Sequence, residues 1–175
     1  NENNKEVTIT KYTGSDASVT VPDTIDGLPV TRIGERAFNA NGQIVSVQIG
    51  KNVKSIGRYA FSSSGNLKTV QLSNAVTILE RGAFSDCKNL KEIIWGDGLE
   101  TLENDVFANC ANLTTLTIPE SVITVGESAF YGCSNLIEVT IGDQVTSIGN
   151  SAFQNDVNLT KLTLGNNVAT LGERA

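Results

Sequence analysis

The sequence predicts a β-rich α/β solenoid: a parallel sheet of stacked coils, joined by short helical or 3₁₀ turns and opened by an N-terminal β-hairpin cap. Three observations predict it. All six phenylalanines, Phe38, Phe61, Phe84, Phe107, Phe130 and Phe153, are spaced by 23 residues, and a fixed period of this length is the signature of a repeat architecture. Positions at fixed offsets from each Phe are apolar in every copy. Segments such as Leu136-Ile137-Glu138-Val139-Thr140-Ile141 alternate with period two near their end, as a short strand does.

Residues 1–29 differ from the rest. Val7, Ile9 and Tyr12 alternate with polar residues, which reads as a half-buried strand. Thr13-Gly14-Ser15-Asp16 is a turn composition. Val19-Thr20-Val21-Pro22 then matches Leu116-Thr117-Ile118-Pro119 in register with the repeat. A solenoid has to cover the apolar end of its first coil, and terminal units are atypical for that reason. Residues 1–29 therefore read as an N-terminal cap hairpin, with Asp23 to Pro29 lengthening the first connection by five residues relative to later copies.

Residues 30–175 hold about six repeats in the same single domain, the last truncated. Around Phe130 the inward positions are Val122, Val125, Ala129, Leu136, Val139 and Ile141, and every other copy is apolar at the same offsets. Gly50, Gly96, Gly142 and Gly165 follow the strand and are expected to supply φ > 0 for the turn out of it. Val145 to Ile148, apolar only at its ends, reads as a second short extended stretch. Gly149-Asn150-Ser151-Ala152-Phe153-Gln154 reads as a helical or 3₁₀ turn, too short to be stable alone. Stacking supplies what a single coil lacks. Strands paired at about 4.8 Å make six coils a body on the order of 30 Å long, with the phenylalanines in a spine.

The formal net charge of −6 argues against nucleic acid and against anionic membrane surfaces as partners. No apolar run approaches the roughly 18 residues of a membrane-spanning helix, so direct membrane insertion is not expected. NENNKE is too polar for a signal segment. The absence of His removes the commonest general base and metal ligand. No Gly-rich phosphate loop, Ser-centred elbow or Ca²⁺ loop is present, and Gly96-Asp97-Gly98 is too short to be one.

The unit L-x-x-V-x-I-x-x-x-V-x-x-I-G-x-x-A-F-x-x-C-x-x, best matched by residues 122–144, resembles the BspA-like bacterial leucine-rich repeat, which has the same period. The commoner leucine-rich pattern carries Asn or Cys three residues after the last strand apolar. Here Asn52, Ala75, Gly98, Ser121, Gln144 and Asn167 stand there, so no asparagine ladder is expected at that position. The resemblance implies a surface-exposed or secreted bacterial protein, an adhesin or host-binding module. It names no ligand residue, because function belongs to sites grafted on folds.

Several residues invite a chemical reading. Cys87, Cys110 and Cys133 lie 23 apart, each three after its Phe, so they stack in one line. A thiolate metal site would want close pairs and four ligands. Buried free thiols filling the slot that Asn41, Ser64 and Asp156 occupy elsewhere are the reading adopted. The acids and bases before each Phe (Glu35, Arg36, Arg58, Glu80, Arg81, Glu127, Glu173, Arg174) vary between copies, as a solvated face does, so no enzyme is expected and no cofactor or metal is assigned. Trp95 takes an inward position and reads as core filling with local distortion.

The outward strand positions are the sharper candidates: Thr69, Gln71, Glu92, Ile94, Thr115, Thr117, Glu138, Thr140, Lys161 and Thr163. Regular faces of solenoids are their usual binding surfaces, although Thr also simply suits exposed strands. The expected function is a non-enzymatic binding or adhesion module recognising a protein or glycan, host-derived in the adhesin reading, outside the cell or on its surface. The alternative is a structural spacer within a larger surface protein. At the chain's end, Leu159, Leu162, Leu164 and Val168 are left without a polar capping repeat. Either the natural chain continues beyond Ala175, the reading preferred here, or this end pairs with another molecule, end-to-end self-association included.

Overall fold

The structure is a computed structural model and describes residues 5–175; the first four residues of the expected cap lie outside the described residues. The chain winds as a succession of short strands and turns. The opening strands are β1 (Val7–Ile9), β2 (Ser18–Thr20), β3 (Thr24–Ile25) and β4 (Leu28–Ile33). Each later coil contributes a three- or four-residue strand and a two-residue strand: β5 (Ser46–Gln48), β6 (Ser55–Ile56), β7 (Thr69–Gln71), β8 (Ile78–Leu79), β9 (Glu92–Ile94) and β10 (Thr101–Leu102). The series closes with β11 (Thr115–Ile118), β12 (Thr124–Val125), β13 (Glu138–Ile141), β14 (Ser147–Ile148), β15 (Lys161–Thr163) and β16 (Thr170–Leu171).

Like strands pair in parallel across neighbouring coils. One wall has the order β1-β4-β6-β8-β10-β12-β14-β16, confirming the second extended stretch expected before each turn. The other wall is two separate sheets, β2-β5-β7-β9 and β11-β13-β15. Between the walls the inward residues form one core: Phe61, Phe84, Phe107 and Phe130 are fully buried. Consecutive phenylalanine rings stack at 4.6–5.5 Å with interplanar angles of 3–11°. Burying each ring contributes about 1.5–3 kcal/mol, and offset stacking adds about 0.5–1.5 kcal/mol per pair. Tyr12 extends the spine, stacking on Phe38 at 5.0 Å.

Three expectations are corrected. First, β1 and β2 do not form a hairpin with each other: β1 pairs in parallel with β4, and β2 with β5, so residues 7–29 wind as an additional coil. The hairpin in this region is smaller. Thr24–Ile25 and Leu28–Pro29 pair antiparallel around Asp26-Gly27, at φ of 50° and 78°. A two-residue loop with both residues left-handed is the hairpin turn whose twist matches its strands.

Second, the turns carrying each Phe are not helical; among the described residues there is no helix. The residue two before each of the six Phe is left-handed (Arg36, Tyr59, Gly82, Asp105, Ser128, Ser151), as is Arg174 at the same offset in the last coil. So is the residue two after, in six coils (Ala40, Ser63, Asp86, Asn109, Gly132, Asn155). Left-handed residues cannot continue a right-handed helix. They also turn backbone N–H groups along the solenoid axis, and a third inter-coil ladder results: Arg36 N–H donates to Arg58 O (3.0 Å), Phe38 N–H to Ala60 O (2.7 Å) and Ala40 N–H to Ser62 O (2.8 Å).

Third, the glycines after the strands do not take φ > 0. A Cβ on Gly96 would sit 2.1 Å from Ser73 O, and one on Gly165 2.3 Å from Gly142 O. Their role is close approach between coil backbones.

Candidate ligand-binding face

The sequence alternation that buries Val70, Leu116 and Val139, and half-buries Ile93, turns their neighbours outward. In the first sheet of the broken wall, Ser46, Thr69 and Glu92 form one row and Gln48, Gln71 and Ile94 the next. In the second sheet, Thr115, Glu138 and Lys161 are in register, as are Thr117, Thr140 and Thr163. Gln71, Glu92, Ile94, Thr115, Thr117, Lys161 and Thr163 are exposed, whereas Thr69, Glu138 and Thr140 are half-buried. Glu138 and Lys161 pair across adjacent strands, so neither charge stands alone.

The structure therefore brings the ten candidate residues together as two blocks, four and six, separated by the gap between β9 and β11. Trp95 marks the gap. It replaces a smaller aliphatic at the last inward position of β9's coil and meets the Phe107 ring of the next coil edge-on, at 5.8 Å and 85°. A side chain larger than its slot displaces the backbone that carries it, and here the ladder is interrupted. Ile94, 43% exposed, stands at the border.

The cysteines are free and buried. Each thiol donates to the carbonyl of the Phe in the preceding coil: Cys87 Sγ to Phe61 O (3.2 Å), Cys110 Sγ to Phe84 O (3.2 Å) and Cys133 Sγ to Phe107 O (3.3 Å). Ser64 Oγ does the same to Phe38 O at 3.0 Å. Burial pushes the Cys87 thiol up to about 12, and Cys110 and Cys133 move the same way for the same reason. Burial and a raised pKa both keep the nucleophilic thiolate scarce.

On the turn wall, Arg81 Nε meets Asp105 Oδ2 at 3.0 Å, and the Arg36 guanidinium lies 5.7 Å over the Tyr59 ring. Arg32 reaches two coils onward to Glu80 at 2.6 Å. These charges serve neighbouring coils.

One row escaped the sequence reading. Asn66, Asn89, Asn112, Asn135 and Asn158, each five after its Phe, form an amide ladder between coils. Asn66 Nδ2 donates to Gly42 O (2.7 Å), Asn89 to Gly65 O (2.6 Å), Asn112 to Asn89 Oδ1 (3.1 Å) and Asn158 to Ser134 O (2.7 Å). The signal was available: five asparagines in phase with the phenylalanines.

A parallel solenoid with this coil length and an in-phase Phe, Leu and Asn pattern is a repeat protein of the leucine-rich class. The sequence matches the BspA type leucine-rich repeat region in six copies, over residues 11–135 and 54–175. The chain belongs to the BspA-type leucine-rich repeat family. Among solved structures, it is 30% identical to the T. pallidum leucine-rich repeat protein, covering 96% of this chain and 78% of that one, with a TM-score of 0.88. It is 33% identical to a leucine-rich cell surface protein of Faecalibacterium prausnitzii, covering 94% of this chain and 46% of that one, with a TM-score of 0.81. The pneumococcal vaccine antigen PcpA shares the fold at 20% identity, with a TM-score of 0.65 over 87% of this chain and 45% of that one. The chain thus spans under half the length of two of these proteins. No curated protein matches the sequence.

Proposed function

We propose that this chain is a non-enzymatic binding module of a bacterial cell-surface or secreted protein, recognising a protein or glycan through the outward rows of its broken wall. The observation that carries the reading is the register itself. Thr69, Gln71, Glu92 and Ile94, then Thr115, Thr117, Glu138, Thr140, Lys161 and Thr163, repeat in register on adjacent hydrogen-bonded parallel strands. Preorganised side chains lose little freedom on binding, so more of each contact appears as affinity. The F. prausnitzii relative, described as a cell surface protein, supports the location.

The test is capture of host extracellular proteins, together with a glycan array, by the intact chain. A variant changing Glu92, Ile94, Thr117, Glu138 and Thr140 together should lose the captured ligand. Undiminished capture by that variant would place the binding surface elsewhere.

A further inference from the structure

At the N-terminal end of the same wall lies a groove of about 390 Å³. It crosses three coils and lies where the first connection is five residues longer than the later ones. Its wall is the register row Thr20, Gln48 and Gln71, and all three side chains are exposed. Asp23, Lys51 and Ser73 complete its polar lining.

The chemistry of this lining selects a class of ligand. Each glutamine amide offers two donors and an acceptor with two lone pairs. The side-chain bonds around the groove run from Ser46 to Ser18 and from Lys51 and Asn52 to Asp23; among the described residues none engages either amide. Ser73 Oγ is itself buried, so the exposed glutamine amides carry the recognition. Charge is cancelled internally. Lys51 Nζ lies 2.9 Å from Asp23 Oδ2, and the Lys51 side chain and backbone N–H hold the Asp23 carboxyl below its usual range. The apolar floor, Val21, Ile49 and Leu72, is only 2–4% exposed, so a protein's aromatic or aliphatic anchor finds no pocket to fill. The large exposed apolar side chains, Ile94, Ile123 and Ile137 among them, do not line it.

A ligand suited to this groove is uncharged and carries closely spaced groups that both donate and accept hydrogen bonds. We propose that the groove is a subsite for a neutral saccharide, whose hydroxyls bridge the Gln48 and Gln71 amides on adjacent strands about 4.8 Å apart. Its volume falls at the low end of the range for small-ligand sites, enough for about one or two sugar rings. The proposal rests on the reading of this wall as the binding surface and names the ligand class for its N-terminal end. Without an aromatic platform, affinity for a free oligosaccharide is weak, with Kd on the order of 1 mM.

The test uses the full chain and a panel of neutral hexasaccharides (malto-, cello-, xylo-, manno- and chito-oligosaccharides), followed by saturation-transfer NMR and calorimetry. Gln48→Thr with Gln71→Thr installs the residue that the last three coils carry at this position (Thr117, Thr140 and Thr163), so folding is retained, as a urea transition matching the parent's confirms. At least one hexasaccharide should bind, weaken about tenfold in the double variant, as loss of one or two net hydrogen bonds predicts, and change little between about 50 and 500 mM salt. The five-residue face variant should keep it. Saccharide binding that survives the double variant but is lost in the face variant overturns the groove and leaves the wall reading intact. Capture of proteins by the wall with no hexasaccharide bound does the same. Binding that neither variant touches overturns both.

Discussion

Replacing Asp156 by serine should stabilise the protein, and the gain should grow with pH. Asp156 occupies the slot three residues after Phe, where Ser64 and the three cysteines donate to the carbonyl of the preceding coil's Phe. It is 8% exposed, and neither carboxyl oxygen has a hydrogen-bond partner. A carboxylate has no proton to donate in a slot that uses a donor, whereas the protonated acid does. Burial pushes its pKa from 3.8 up to about 8, against a smaller opposing pull from the Cys133 backbone. The folded chain therefore holds a proton that the unfolded chain has released between those values. Stability is fully present below about pH 4 and falls as pH rises toward 8, by up to about 1.4 kcal/mol per pH unit. Integrated to pH 7 the ceiling is about 4 kcal/mol. Water near the exposed Val157 and Asn158 lowers that, and the usual cost of an unpaired buried polar group, about 1–3 kcal/mol, is the expected gain. Urea unfolding followed by circular dichroism at about pH 5, 7 and 9, on parent and Asp156→Ser, isolates the term because other titrations cancel in the difference. The difference should widen from pH 5 to 8 and level off above. A difference independent of pH, or one that shrinks as pH rises, would refute the reasoning.

Other perturbations test other parts of the coil. Phe84→Ala removes a fully buried ring stacked between Phe61 and Phe107 and should cost about 3–5 kcal/mol. Phe153→Ala, at 6% exposure and stacked on Phe130, should cost less by the same chemical unfolding assay. Ala40→Gly relieves an exposed residue at φ 52°. The strain removed, about 1–2 kcal/mol, exceeds the entropy glycine adds to the unfolded chain, about 0.5–1 kcal/mol, so Tm should rise. Cys87, Cys110 and Cys133, buried with their thiols pushed up, should resist a thiol-specific chromogenic reagent at neutral pH and react once the chain is unfolded in guanidinium.

Much of the coil was legible because apolar burial and period-two alternation act within a few residues of sequence. Val139 and Ile141, alternating with Glu138 and Thr140, announce a strand with one buried face whichever neighbour it meets. What depends on the neighbouring coil was harder to read. Eleven of the thirteen left-handed turn positions are not glycine; the conformation is imposed by hydrogen bonds to the next coil, so the segment around Phe153 looked helical while its backbone was committed to a third ladder. Gly96 showed the opposite trap, a glycine kept for a contact with Ser73 and not for its φ. Asp26-Gly27 was readable as a tight hairpin loop but lay inside a stretch read as a long connection. The candidate face was legible in composition and register. Its division at Trp95 was not, since that follows from one ring meeting Phe107 in space.

The side-chain bonds that tie coils together span 22 to 29 residues, with the Arg32–Glu80 pair as a longer reach. Because bonding is confined this way, the molecule is a ruler graduated in sequence. Removing residues 62–84 as a block would join Phe61 to Ser85, renew the same kinds of neighbour and shift every later outward side chain by one strand spacing, about 4.8 Å, along the axis. Removing one residue fewer would put every subsequent Phe out of phase with its spine. Recombination between copies can thus slide ligand-facing groups past one another in fixed steps while leaving the interior unaltered, and a partner's epitope spacing can be matched by copy number alone.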